Sequence, residues 1–219
     1  KQPDELYAQI PLLQEGLATF GIPSIFLDGF EADDLIGTIA MRAVREGWQV
    51  MVVTGDRDAL QLIGPHVSVL TFKKGVTDTL TYDEAELQKE YGLTPEQFVE
   101  YKAMRGDPSD NIPGIKGIGE KGAKDLLQRF GTLKQIFAAA HDDKSDLTPS
   151  TRAKILAGED GIDATLALVR IHLQAPIDWK PEKQSLVVGT EARAFFTRMG
   201  FKTLAKEGER KESPREETE

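Results

Sequence analysis

The chain contains no cysteine and only three histidines among its 219 residues. Disulfides, thiolate nucleophiles and thiolate metal sites are thereby excluded, which fits a reducing, cytoplasmic setting. His66, His141 and His172 stand far apart without ligand spacing, so they read as surface or loop histidines rather than as a metal site. Long apolar runs are absent too. No stretch approaches the ~18 residues of a membrane span, and the opening residues show no signal-peptide pattern. Positive charge is scarce, with 27 Lys and Arg against 36 Asp and Glu and a net charge of -9. Such a balance argues against a nucleic-acid partner unless the acids are clustered, because bound cations invert the sign of a cluster. What is present, 40% hydrophobic and 29% charged residues, suffices for a globular fold with a sizeable core.

Apolar periodicity predicts a helix over residues 4–20, a short strand at Ser24–Leu27 and a second helix from Ala32 to Glu46. A buried, β-branched strand follows at Val50–Val53, then a short helix at Asp58–Ile63 and a strand at Val67–Phe72. Strands alternating with helices predict an α/β fold of Rossmann-like, mostly parallel sheet flanked by helices. From Tyr82 onward the pattern is helical, over Asp83–Tyr91, Pro95–Met104, Lys121–Phe130, Leu133–Ala140, Asp163–His172 and Glu191–Met199, with a polar loop at Asp142–Pro149 and a break at Pro176–Pro181. The expected division is an α/β core at 1–81, a helical region at 82–205 and a charged, unstructured tail or linker at 206–219.

Three acidic clusters stand out. Glu31-Ala32-Asp33-Asp34 opens a helix just after the expected first strand, where capping alone could account for acids. Asp56 and Asp58 follow the next strand in Thr54-Gly55-Asp56-Arg57-Asp58, and capping explains only one of them. Asp107 and Asp110 lie three apart in Gly106-Asp107-Pro108-Ser109-Asp110-Asn111, a pattern that an Asx turn could also produce. Loops at the carboxyl ends of parallel strands share one crevice. Carboxylates gathered there repel one another unless cations intervene. An oxygen-only donor set suits Mg²⁺ or Mn²⁺ rather than zinc, and two such ions can clamp an in-line displacement at phosphorus.

Residues 111–134 read NIPGIKGIGEKGAKDLLQRFGTLK. Gly114, Gly117 and Gly119 surround Ile115 and Ile118 ahead of an amphipathic helix, while Lys116, Lys121 and Lys124 make the stretch locally basic. Glycines allow close backbone approach, and a helix N-terminus offers free N–H groups to phosphate. The expected element is a helix–hairpin–helix grip on the DNA backbone, blind to sequence. The plainer reading is a tight helical turn with solvated lysines.

Together GFEADD, TGDRD and GDPSDNIPGIKGIGEKGAKDLL resemble the signature segments of the 5′ nuclease (flap endonuclease) family. The branch most similar is the 5′→3′ exonuclease domain attached to bacterial DNA polymerase I. The resemblance implies a PIN-like core, a helix–two-turn–helix element and a two-metal site. Glu31 and Asp33 would serve the first ion and Asp56, Asp58 and Asp107 the second, with Asp33 bridging. Asp34 and Asp110 would act through water, and K⁺ could sit on the carbonyls of Gly114–Gly119. It also implies flapped DNA or RNA-primed DNA as substrate, a polymerase portion as partner, a monomeric state and a nucleoid-associated, cytoplasmic location in bacteria. The family's first strand, with its metal-binding aspartate, and its helical arch have no counterpart here, so the expectation is that the N-terminal third is deleted or lies on a separate fragment. Two other readings stay open. One is a DNA-binding module without catalysis. The other is a haloacid-dehalogenase-like phosphatase, which the Gly55–Asp58 segment faintly resembles.

Overall fold

The computed structural model describes residues 4–182 and 188–207. The chain divides into two compact units, Leu27–Pro181 and the described residues of Lys1–Phe26 with Glu182–Glu219.

In the larger unit, helix α3 (Ala32–Arg45) buries Leu35, Thr38, Ala40 and Ala43, and Gly47 in the left-handed region (φ 86°) ends it. Strand β1 (Val50–Val53) pairs in parallel with β2 (Val67–Lys74), in the register Val50–Val67 to Val53–Leu70. Strand β3 (Asp78–Tyr82) pairs antiparallel with β2 across a turn at Gly75. The described sheet is therefore mixed, with one parallel and one antiparallel pair, and helices flank it. β3 was not foreseen, although Thr79, Leu80, Thr81 and Tyr82 carry a strand's β-branched and aromatic composition. The strand expected at Ser24–Leu27 does not form, and residues 22–27 carry no regular structure. β1 was expected to be buried throughout, yet Met51 and Val53 are more than half exposed and only Val52 is buried. The segment after β1 winds as a 3₁₀ turn, Arg57–Leu62, rather than an α-helix. Asp56 caps it by accepting from the Asp58 N–H at 2.8 Å, which satisfies a donor left free at its start.

The helices α4 (Glu84–Tyr91), α5 (Pro95–Arg105), α6 (Glu120–Phe130), α7 (Leu133–His141), α8 (Pro149–Ala157) and α9 (Glu159–Val169) complete this unit. Helix α8 begins where the loop expected over Asp142–Pro149 ends, on residues for which no element was expected. Its signals are Thr148 as cap and Pro149 in the first turn. The core joins sheet and helices through Leu60, Val69, Tyr82, Leu87, Phe98, Tyr101, Met104, Leu127, Ile136 and Ile155, all at most 1% exposed. Each such side chain contributes about 2 kcal/mol of burial. After α9 the chain leaves regular structure and lies on α3. Thr38 Oγ1 donates to His172 O and accepts from the Ala175 N–H, while Arg42 donates to Ala175 O, Ile177 O and Trp179 O. A Cβ on Gly37 would meet Ile171 and Leu173 at 2.7 Å, so this glycine sets how closely the segment packs.

The smaller unit holds α1 (Asp4–Tyr7), α2 (Ile10–Thr19), α10 (Thr190–Arg198) and α11 (Lys202–Glu207). The single helix expected over 4–20 is split, since Pro11 tolerates only a first turn. Phe20, Phe195, Phe196 and Phe201 form an aromatic cluster beside Gly16. Lys206 and Glu207, expected in the unstructured tail, close α11, and residues 208–219 lie outside the described residues. No described helix is long and apolar enough to cross a membrane.

Candidate active site and nucleic-acid interface

A cleft of about 640 Å³ in the larger unit is lined by Glu31, Asp33, Asp34, Asp56, Asp58 and Asp110, so all three acidic clusters reach it. Asp33 and Asp34 stand in the first turn of α3, and Asp56 and Asp58 bracket the start of the 3₁₀ turn after β1. The loop from Asp107 is pinned by a two-way backbone pair between Asp107 and Ile112, at 2.9 Å in both directions. Asn111 adopts φ 55°, a conformation asparagine tolerates better than most residues. This loop carries Asp110 to the cleft.

The acids differ in what holds them. Burial pushes the Asp33 carboxyl above its ordinary range. The negative charges of Asp34, Glu31 and Asp56 add to this, and a bond from the Asp34 N–H partly offsets it. Asp34 is committed on both oxygens, accepting from the Glu31 N–H at 3.3 Å and the His172 N–H at 2.7 Å, so it ties α3 to the chain after α9. Asp58 is also raised, first by burial and then by Asp56 and Asp107, against the pull of Lys102.

Lys102 went unrecognised in the sequence. Its ammonium, 7% exposed, reaches Asp58 at 2.5 Å and Asp107 at 2.8 Å and joins the second and third clusters. Burial draws its pKa down, yet the two carboxylates outweigh that and hold it above the ordinary lysine range. The available signal was its place four residues after Phe98 on the buried stripe of α5, where an unpaired lysine would be costly. Arg57, flanked by two aspartates, turns away from them. It donates to Tyr91 Oη at 2.6 Å and to Glu90 at 3.3 Å, and Glu90 in turn accepts from Tyr82 Oη. As they stand, no three acids or histidines among the described residues converge closely enough to hold an ion. The histidines have other neighbours: Gln49 for His66, Glu159 for His141 and the Phe30 ring for His172.

From Asp110 the chain runs directly into the glycine-rich loop. Ile115 and Ile118 are buried at 3% and 7% exposure and anchor it. A Cβ on Gly114 would lie 2.4–2.5 Å from the backbone of Arg105 and Gly106, so this glycine serves internal packing rather than approach by a partner. Gly117 needs the left-handed region (φ 83°), and its carbonyl accepts from Lys154 at 3.3 Å. Gly119 caps α6 without a side-chain cap, and a Cβ there would meet nothing within 4 Å. Lys116 and Lys121 are exposed, whereas Lys124 is paired with Glu120 at 2.8 Å and lies 4.4 Å over the Tyr91 ring.

This architecture is shared with solved nuclease structures. T5 5′-exonuclease with bound divalent metal ions (zinc) matches at TM-score 0.64 and 23% identity, over 93% of this chain and 66% of that one. The catalytic core of Rad2 in complex with DNA substrate matches at TM-score 0.60 and 20% identity, over 91% and 67%. At such identities the likeness defines the fold. Residues 1–92 match the family of the 5′-3′ exonuclease N-terminal resolvase-like domain, and residues 93–191 match that of the 5′-3′ exonuclease C-terminal SAM fold. The chain belongs to the 5′-3′ exonuclease family. DNA polymerase I of Bacillus caldotenax is 40% identical over 224 residues, covering 99% of this chain and 24% of that protein. A 5′-3′ exonuclease of Mycobacterium tuberculosis is 41% identical over 182 residues, covering 80% and 57%. The chain thus spans about a quarter of the length of the DNA polymerase I relatives it matches.

Proposed function

We propose that this chain is the acid-bearing and duplex-gripping part of a structure-specific 5′→3′ exonuclease and flap endonuclease, which hydrolyses DNA phosphodiesters near 5′-flap junctions in primer removal and repair. One observation carries the reading. A single short segment, 110–119, starts at the cleft with Asp110 and ends at the N-terminus of α6, so a duplex backbone held at α6 would have its strand close to the acids.

The donor set fits Mg²⁺ or Mn²⁺, being all oxygen and crowded enough that burial and like charge raise Asp33. Glu31, Asp33 and Asp56 would hold one ion. Asp58 and Asp107 would hold another, with Lys102 giving way, and Asp110 would act through water. When bound, the ions supply a water nucleophile at neutral pH and neutralise charge on the phosphodiester. Asp34 keeps the α3 turn in place, Lys102 holds Asp58 and Asp107 in register, and Gly119, Lys116 and Lys121 meet phosphate. K⁺ on the loop carbonyls would compete with the Lys154 ammonium at Gly117. The polymerase portion of the same protein is the proposed partner, as in the relatives named above.

The Lys102 bridge also favours a second reading, a DNA-binding part that does not cut alone, because the bridge already neutralises two of the acids. A labelled 5′-flap duplex with Mg²⁺ or Mn²⁺ decides between them. Cleavage near the junction that Asp56→Ala lowers by roughly 10³-fold supports the nuclease. Binding without cleavage supports the module, and hydrolysis of a small phosphate ester without DNA binding would contradict both. Lys121→Ala should weaken binding across all sequences and lower the salt slope by about 1.

A further inference from the structure

One wall of the acidic cleft is not acidic. The chain leaving α9, residues 167–172, lines it and brings a cation, Arg170. At Arg170 the helix gives way to extended backbone, with φ -86° and ψ 118°. Successive side chains of extended chain point to opposite sides. Ile171, buried at 5% exposure, turns inward, and Arg170 before it is exposed.

The backbone on either side is held by the acid-bearing elements themselves. The Gln61 amide, in the 3₁₀ turn that carries Asp58, donates to Val169 O at 3.0 Å and accepts from the Ile171 N–H at 3.0 Å. The next N–H, of His172, donates to Asp34 at 2.7 Å. Three hydrogen bonds thus fix the Arg170 backbone relative to α3 and the 3₁₀ turn, yet its guanidinium forms no ion pair or hydrogen bond among the described residues. The acid that feels its charge is Glu100 on α5, whose carboxylate already accepts from the Leu133 N–H at 2.9 Å.

A cleft of carboxylates repels the polyanion it must admit. A guanidinium carried on backbone fixed at its wall can form paired hydrogen bonds to a phosphate, with only its own side chain left to order. We propose that Arg170 is a substrate contact that grips a backbone phosphate of the DNA strand entering the acidic cleft. This inference rests on the nuclease reading above, and it gives the cleft its own phosphate grip, separate from the loop before α6.

The test is fluorescence anisotropy of a labelled 5′-flap duplex, with Ca²⁺ replacing Mg²⁺, over a series of salt concentrations. Wild type, Arg170→Ala, Arg170→Lys and Lys121→Ala are compared, and their melting temperatures are measured alongside. Arg170→Ala should bind about tenfold more weakly, as expected for a lost charged hydrogen bond, with a salt slope lower by about 1 and an unchanged melting temperature. Arg170→Lys should recover the slope but only part of the affinity. Arg170→Ala with wild-type affinity and slope, while Lys121→Ala loses both, overturns the proposal and leaves the nuclease reading intact. An early melt of Arg170→Ala would instead assign the residue to Glu100 and also overturn it. A wild-type chain that does not bind the duplex removes both readings at once.

Discussion

Two sides of one cleft are made from the same kind of residue and held in different ways. Near Asp33, burial raises the carboxyl pKa and the charges of Asp34, Glu31 and Asp56 add to it, with no cation beside them among the described residues. Near Asp107, a buried ammonium sits between the acids, and Lys102 satisfies Asp58 and Asp107 at 2.5 and 2.8 Å. On the second side the ammonium balances two half-buried acids within the protein itself. On the first side none of these acids forms an ion pair among the described residues, and a partly buried, raised carboxyl in a cleft marks a candidate ligand site. The contrast separates what an acid does for the fold from what it does for chemistry.

The largest way to break the contrast is to remove the bridge. Lys102→Met should destabilise the chain by about 3 kcal/mol in urea unfolding, because it leaves two half-buried carboxylates facing each other. Adding Asp58→Asn should restore part of that loss, a non-additivity that marks a direct pair. Next comes the backbone under the same side. Gly114→Ala drives a methyl into the Arg105–Gly106 backbone and should cost about 2 kcal/mol, displacing the Asp107 loop while leaving the α3 turn in place. Amide hydrogen exchange would localise the change to residues 105–115.

The smallest effect lies on the other side and has the opposite sign. The folded-state pKa of Asp33 is raised, so its favourable contribution is complete below the ordinary aspartate value of 3.8 and is lost as pH climbs through the raised value. Asp33→Asn has no such loss. With chelator present it should be more stable than wild type at pH 7, by less than about 1 kcal/mol after solvent screening, and equal to it near pH 3.5. Thermal melts across that range check the sign.

Much of this was legible in the sequence because it rested on local patterns. Asp56 and Asp58 follow the carboxyl end of β1, where a crevice is expected, whereas Glu31 and Asp33 open α3 without the strand expected before them. Ile115 and Ile118 alternate with glycines, and their burial follows. The illegible parts depended on distance along the chain. Lys102 became a bridge only because α5 brings it against a turn more than forty residues earlier. Gln61 meets residues 169 and 171 across more than a hundred. Gly114 looked like a door for DNA but was shaped by the backbone of Arg105, a contact no local pattern announces. β3 was hidden for another reason, since its strand-forming residues lie between a glycine turn and a helix cap and were absorbed into both.

The difference between the two sides is tested most directly by counting Mn²⁺ on the DNA-free chain with electron paramagnetic resonance, in wild type, Asp33→Asn and Asp58→Asn. A tighter class of bound Mn²⁺ that Asp33→Asn removes and Asp58→Asn largely spares is the expected result. Loss of that class in Asp58→Asn, with Asp33→Asn binding as wild type does, would place the ready cation site on the lysine-bridged side and contradict the account.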